Sequence, residues 1–236
     1  MRIVTLASLR GAPGVTTTAL LLASTLNEAV VVEADLDGGV LAIRYGLGRE
    51  PGLATLAASG PDVGEGWRAH AQEAGGVPVL VGPDAPTSSA ALWRSAGEQI
   101  TQRIVTGAGT AVVDAGRLRT PGPVVAASDL LLLLVCPVAE QLVALTHVLA
   151  SLRQSVRGEV AVILVGEGPY RISEVERSIG VPVFAALPQD RDSAESLRTG
   201  AGVNTRLARS RLARAVTALG ACVNAALVEP VEADVS

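Results

Sequence analysis

Lysine is absent from the chain: all 19 basic residues among its 236 are arginine. No ammonium side chain is on hand to grip a phosphate as a point charge. Aromatic residues make up only 2%, so the core has to be built from Val, Leu and Ala. Cysteine is scarce too. Cys136 and Cys222 lie far apart in apolar surroundings and form neither a C-x-x-C pair nor a metal-ligand spacing, which predicts two buried, reduced thiols. The formal net charge is −4, which gives no general attraction to nucleic acid or to an anionic membrane. Long apolar runs are lacking as well. The most apolar stretch, Leu130 to Val138, is bounded by Asp129 and Glu140 and is too short to span a bilayer. Arg10 and Gly11 come before a signal-peptide core can develop, so a cytoplasmic protein is expected. What the chain has in plenty is apolar: 49% hydrophobic residues and a mean hydropathy of +0.41. That excludes a disordered chain and predicts one α/β domain over residues 1–228 with an acidic tail at 229–236.

The stretch around which the rest is organised is Leu9-Arg10-Gly11-Ala12-Pro13-Gly14-Val15-Thr16-Thr17-Thr18. A short apolar run, Ile3 to Ala7, precedes it as a strand, and the Ala/Leu-rich segment Ala19 to Leu26 follows as a helix. Strand, glycine-bearing loop and threonine-opened helix is the layout of a phosphate-binding loop, in which backbone N–H groups face an anion. The consensus G-x-x-x-x-G-K-[ST] wants glycine at Leu9 and lysine at Val15. Pro13 removes one more backbone donor. The sequence keeps the shape of the loop and lacks its charge.

Further strands are predicted at 29–33, 77–81, 110–114, 129–136, 160–165 and 181–186, and helices at 53–58, 90–105, 138–156, 171–179 and 206–227. Two strands end in acids: Glu33-Ala34-Asp35-Leu36-Asp37-Gly38-Gly39, and Val112-Val113-Asp114-Ala115-Gly116. Carboxylates at strand ends sit where open α/β sheets place their ligand chemistry. An apolar strand delivering one acid is what a Walker-B element needs. The continuous apolarity of 129–136 predicts the central strand, buried on both faces. Leu142, Leu145, Leu149 and Leu152 are expected in the core, as are Leu92, Ile100 and Ile104. A Ser173-x-x-Glu176 pattern predicts a capping box. The segment 59–76 reads as a surface excursion carrying Trp67 and a solvated His70, and 83–89 as a loop. The last helix is expected to present Ala208, Leu212, Ala215, Val216, Leu219 and Val223 on one face. The alternation predicts an α/β fold with a mostly parallel, doubly wound sheet flanked by helices.

This order of signals resembles the MinD/ParA group of deviant-Walker-A P-loop ATPases over nearly the whole chain. The family loop K-G-G-x-G-K-[ST]-T is matched by Arg10 to Thr17, and D-x-D-P-Q-G by Glu33 to Gly38. The strand ending in D-T-P is matched by Val112 to Gly116, and the late P-x-D segment by Leu187-Pro188-Gln189-Asp190. The resemblance implies ATP or ADP bound by Arg10, Gly11, Ala12, Gly14, Val15, Thr16 and Thr17 in the loop and by Pro188 and Asp190 in the late segment. It implies magnesium on Thr16 and Asp114, with Asp35 positioning the attacking water and Thr17 at the α-phosphate. The family's two loop lysines, one of which reaches across a homodimer, are Arg10 and Val15 here. Val165-Gly166-Glu167-Gly168 lacks the family's asparagine.

Three functions follow from the resemblance and its departures. One is a degenerate member, a pseudo-ATPase or weak nucleotide binder. It would act as a positioning or scaffold protein with a protein partner in cell division, partitioning, or secretion and pilus assembly, as the TadZ/CpaE-like members do. The second is an active dimeric ATPase in which an arginine replaces the loop lysine. The third is a ParA-like DNA-binding protein, using the six arginines between Arg191 and Arg214. Attachment to a membrane in the MinD manner is not expected, because Glu232 and Asp234 stand where a basic amphipathic tail is wanted.

Overall fold

The computed structural model describes residues 1–10, 14–60, 66–202 and 205–228. β1 (Arg2–Ser8) and α1 (Val15–Ala23) open the fold, followed by β2 (Ala29–Glu33), α2 (Leu41–Tyr45) and α3 (Leu53–Ala58). The strands β3 (Gln72–Ala74) and β4 (Val77–Leu80) then precede α4 (Pro86–Thr106), β5 (Thr110–Arg117) and α5 (Pro123–Ala126). Next come β6 (Leu130–Val135), α6 (Ala139–Ser155), β7 (Glu159–Val165), α7 (Ile172–Ile179) and β8 (Val183–Leu187). The described chain ends with α8 (Arg191–Arg198), α9 (Thr205–Ala208) and α10 (Arg211–Val228).

All eight strands share one sheet in the order β3-β4-β2-β5-β1-β6-β7-β8. Every pairing is parallel except β3 with β4, which are antiparallel. Because side chains alternate across a strand, β2 sends Val30 and Val32 to one face and Val31 to the other. Two apolar layers result. One holds buried residues of α3, α4, α5, α6 and α7, and the other those of α1, α2, α8, α9 and α10. The expected α/β class, with a mostly parallel sheet covered on both faces, is what the chain adopts.

Several local expectations need correction. The middle of the sheet is held by β5 and β1, with β6 one place further out, since burial on both faces marks any interior strand. α1 starts at Val15, four residues earlier than expected, because Gly14 turns the chain in the left-handed region at φ 78. It stops at Ala23, where Ser24 Oγ and Thr25 Oγ1 donate to the carbonyls of Leu21 and Leu22. α4 absorbs most of the expected loop 83–89, its proline taking the first turn, and buries Trp93 while Leu92 is only half-buried. α7 is capped by Glu174, which accepts the Arg171 N–H at 2.8 Å, and Glu176 instead accepts from Val183 at 3.0 Å. The last helix breaks at Arg209-Ser210, where Ser210 Oγ accepts the Ala213 N–H; Ala208 is exposed and Ala215 half-buried.

His70 is buried. Its Nδ1 lies 3.0 Å from Thr55 Oγ1, and burial followed by the charge of Arg103 pushes its pKa down. Trp67 is buried beside it and donates to the Ala108 carbonyl. Cys136 is half-buried and Cys222 exposed, against the expectation of two buried thiols. The acidic tail and residues 61–65 of the expected excursion lie outside the described residues. Among the described residues α10 alone is long and apolar enough to cross a membrane. Its Leu212, Val216, Leu219 and Val223 are buried in the layer shared with α1.

Candidate functional site

β1 is followed in chain order by strands on one side of it and flanked by β6 on the other, so the crevice opens at the carboxyl ends of the central strands. Register gathers the chemistry there: Leu6 and Glu33 both pair with Asp114. Just beyond, the ladder shifts, Leu6 facing Asp114 and Ser8 facing Arg117, so β5 accommodates one extra residue. Gly116 carries the bend at φ 52, and a Cβ there would fall 1.9 Å from Asp35 Oδ2. Only glycine lets the two acidic loops approach this closely.

Asp114 is 1% exposed. Its Oδ1 accepts the Gly116 N–H at 3.1 Å. Burial pushes its pKa up to about 6, while the hydrogen bonds from the Thr16 hydroxyl and Gly116 hold it down and the charges of Glu33 and Asp35 push it further up. Asp35 is half-buried and accepts the Asp37 N–H at 2.8 Å. Burial also raises its pKa, with Arg117 and Arg119 opposing. Thr16, Asp35 and Asp114 therefore lie together at the carboxyl edge of the sheet.

α1 begins at this place with no side-chain cap and no acidic residue in its first turn. Its leading N–H groups thus lack a side-chain acceptor, and their partial positive charge suits an anion. Val15, by contrast, is 2% exposed and packed into the apolar layer. Gly11, Ala12 and Pro13 lie outside the described residues. Arg10 is exposed.

Two cavities adjoin Gly14 and the start of α1. One, of about 500 Å³, is bordered by Thr16 and Asp35 and by Arg44, Arg117 and Arg191. The other, of about 370 Å³, is mostly apolar, with Cys136, Val165, Leu187, Pro188 and Asp190 in its lining. Gly14, Thr17, Arg191 and Ala194 belong to both. Pro188 and Asp190 thus stand at the apolar cavity while Thr16 and Asp35 stand at the charged one. Asp190 also caps α8, accepting the Ser193 N–H at 3.0 Å. Burial pulls its pKa upward, but the hydrogen bonds from Ser193 prevail and the net shift is down.

Glu33 does something the sequence did not show. Though grouped with the acids of the ligand edge, its carboxylate is only 2% exposed and is occupied by backbone. Oε1 accepts the N–H groups of Val40 and Leu41 at 2.5 and 2.8 Å, and Oε2 accepts that of Gly82 at 3.0 Å. Arg44 and Arg117 carry no local signal of a place here, since no spacing rule connects an arginine to a loop more than twenty residues away. The six-arginine window is interrupted between α8, α9 and α10, and within it Arg198 is tied to Glu195 at 2.6 Å.

The donors fit magnesium. Thr16 and Asp114 offer hard oxygens, and a cation would relieve the buried Asp114 carboxylate. Among the described residues no group of three or more His, Cys, Asp or Glu gathers that could hold a metal, so a cation here would keep several waters, as magnesium does.

Neither a family model nor a curated protein matches the sequence. Solved structures do match. A ParA family ATPase from Chlorobium tepidum superposes with a TM-score of 0.76 at 18% identity, covering 93% of this chain and 97% of its own. The septum site-determining protein MinD of Pyrococcus horikoshii, complexed with Mg-ADP, gives 0.71 at 17% identity, covering 94% and 96%. MinD of Aquifex aeolicus, in its complex with MinC, gives 0.70 at 14% identity, covering 95% and 96%. At such identities the likeness is one of architecture: this chain has the fold of the ParA and MinD P-loop ATPases along nearly its whole length.

Proposed function

We propose that this chain is a nucleotide-binding positioning or scaffold protein of the MinD/ParA kind, a weak binder of ATP that hydrolyses it poorly or not at all. Val15 carries this reading. Phosphoryl transfer rests on positioning and charge stabilisation, and the residue at the lysine position is a buried aliphatic side chain in a chain with no lysine. The remaining parts support retention of nucleotide. The start of α1 and Thr17 border both cavities, and Asp35 borders the charged one, where it would orient a water. Magnesium, held by Thr16 and Asp114, would neutralise charge on the phosphate chain when bound. The protein acts as a homodimer with a protein partner in a division, partitioning or secretion assembly. The similar MinD from Aquifex aeolicus, seen with MinC, supports the partner part of this reading.

Turnover of MgATP by the purified chain tests the proposal. A rate at least about 100-fold below that of lysine-bearing relatives is expected, the size of loss that follows removal of one stabilising donor. A rate comparable to theirs rejects it. Val15→Lys is expected to tighten ATP binding about tenfold, the worth of one charge-assisted contact, because Val15 borders the charged cavity. Calorimetric titration measures that gain.

A further inference from the structure

The charged cavity is bordered by arginines from three separate elements: Arg44 from α2, Arg117 from the end of β5 and Arg191 from the first turn of α8. Several of the chain's other arginines are engaged in ion pairs. Arg2 and Arg157 bind Asp129, Arg49 binds Asp84, Arg68 binds Glu28, and Arg119 binds Asp37. Among the described residues Arg44, Arg117 and Arg191 make no ion pair. Of the acids on the same cavity, Asp37 pairs with Arg119 and Glu195 with Arg198, so Arg44, Arg117 and Arg191 share its lining with one acid outside an ion pair, Asp35. The unopposed charge is positive, and the uncapped start of α1 adds to it.

We infer that Arg44, Arg117 and Arg191 clamp the phosphate chain of a nucleoside di- or triphosphate from within one subunit, supplying the positive charge that Val15 does not. The inference rests on the reading of the site as a nucleotide pocket and specifies how that pocket holds its ligand. A guanidinium reaches a phosphate with a planar fork of N–H donors and binds two oxygens at once. It can therefore grip from the rim, where a lysine would grip from the loop itself. The ligand class follows from the two adjoining cavities. The charged one, of about 500 Å³, suits a chain of phosphates. The mostly apolar one, of about 370 Å³ and sharing Gly14, Thr17, Arg191 and Ala194, suits an uncharged, partly apolar group joined to that chain. Arg191 borders both, so it sits where the two parts of such a ligand meet.

Calorimetric titration of the full chain with ADP, ATP and pyrophosphate, at low salt and with and without magnesium, tests this. Arg44→Ala, Arg117→Ala and Arg191→Ala are each expected to weaken ADP binding about tenfold, as loss of one hydrogen bond to a charged group does. Arg153→Ala, on the exposed side of α6, serves as the charge-matched control and should bind as the unaltered chain does. Lysine at the three positions should restore part of the loss. Thermal unfolding of each variant confirms that it remains folded. If the unaltered chain binds ADP and all three alanine variants bind it equally well, the clamp is wrong and the nucleotide reading stands. If the unaltered chain binds neither nucleotide nor pyrophosphate, the nucleotide reading itself falls. Arginine-dependent binding of pyrophosphate with no added affinity for ADP would overturn the nucleotide as ligand.

Discussion

Glu33→Ala is expected to lower the stability of the fold by about 3–5 kcal/mol, read from urea or thermal unfolding. Three backbone N–H groups, those of Val40, Leu41 and Gly82, end on this one carboxylate. Alanine strands all three in a buried site, each at a cost of about 1–3 kcal/mol. Water entering the space left behind and removal of a buried acid each return part of the loss. The surroundings are fitted to the carboxylate. A Cβ on Gly39 would fall 2.4 Å from Glu33 Oε2, and one on Gly82 would fall 2.5 Å from the Glu33 carbonyl oxygen. Glu33→Gln keeps an acceptor for Val40 and Leu41 but turns an amide toward a backbone donor, so a loss of about 1–3 kcal/mol is expected. The clamp also anchors the start of α2, which carries Arg44. An alanine variant that unfolds at the same midpoint as the unaltered chain would show that the three donors find other partners.

Asp114→Asn is expected to do the opposite and stabilise the metal-free protein, by about 3 kcal/mol at pH 8. The sign follows from the pKa of about 6 in the folded chain against an ordinary value of 3.8. Below pH 4 the carboxyl is protonated in both states and costs nothing. As the pH rises the unfolded chain ionises first while the folded chain still holds its proton. Stability then falls by up to about 1.4 kcal/mol per pH unit until both states are ionised above pH 6. The accumulated loss is about 3 kcal/mol. Glu33, whose pKa burial also raises, slopes the same way. Asparagine carries no such charge and still offers an oxygen to the Gly116 N–H. Unfolding in EDTA at pH 4, 6 and 8 measures the gap, which should open with pH. Magnesium at pH 8 should then raise the stability of the unaltered chain alone. A variant less stable at pH 8, or a gap independent of pH, would contradict this account.

How far the residues foretold the structure depends on the reach of the interactions involved. Strands such as 29–33 and the helix 53–58 were legible because local apolar spacing determines them. Thr16, Asp35 and Asp114 were legible because each lies at a strand or helix end that the alternating pattern locates. The turn into α1 was legible from Gly14, which takes the left-handed conformation there. The role of Glu33 is not legible locally because Gly82, one of its partners, is 49 residues away, and nothing local separates a clamping acid from a ligand-facing one. The burial of His70 is hidden for a similar reason: it is fixed by Thr55, on another element. The hairpin of β3 and β4 did leave a signal, the pair Gly75-Gly76 ahead of the apolar segment Val77 to Leu80, with both glycines at positive φ. The break before α10 depends on one serine side chain capping a backbone N–H, a choice that helix propensity alone does not register.

The partition formed by Gly14, Thr17, Arg191 and Ala194 has a thermodynamic consequence. Whatever fills one chamber fixes the wall of its neighbour, so the affinities of half-ligands such as adenosine and pyrophosphate will not sum to that of the joined molecule. Each half should instead alter the grip on the other by the same factor in both directions.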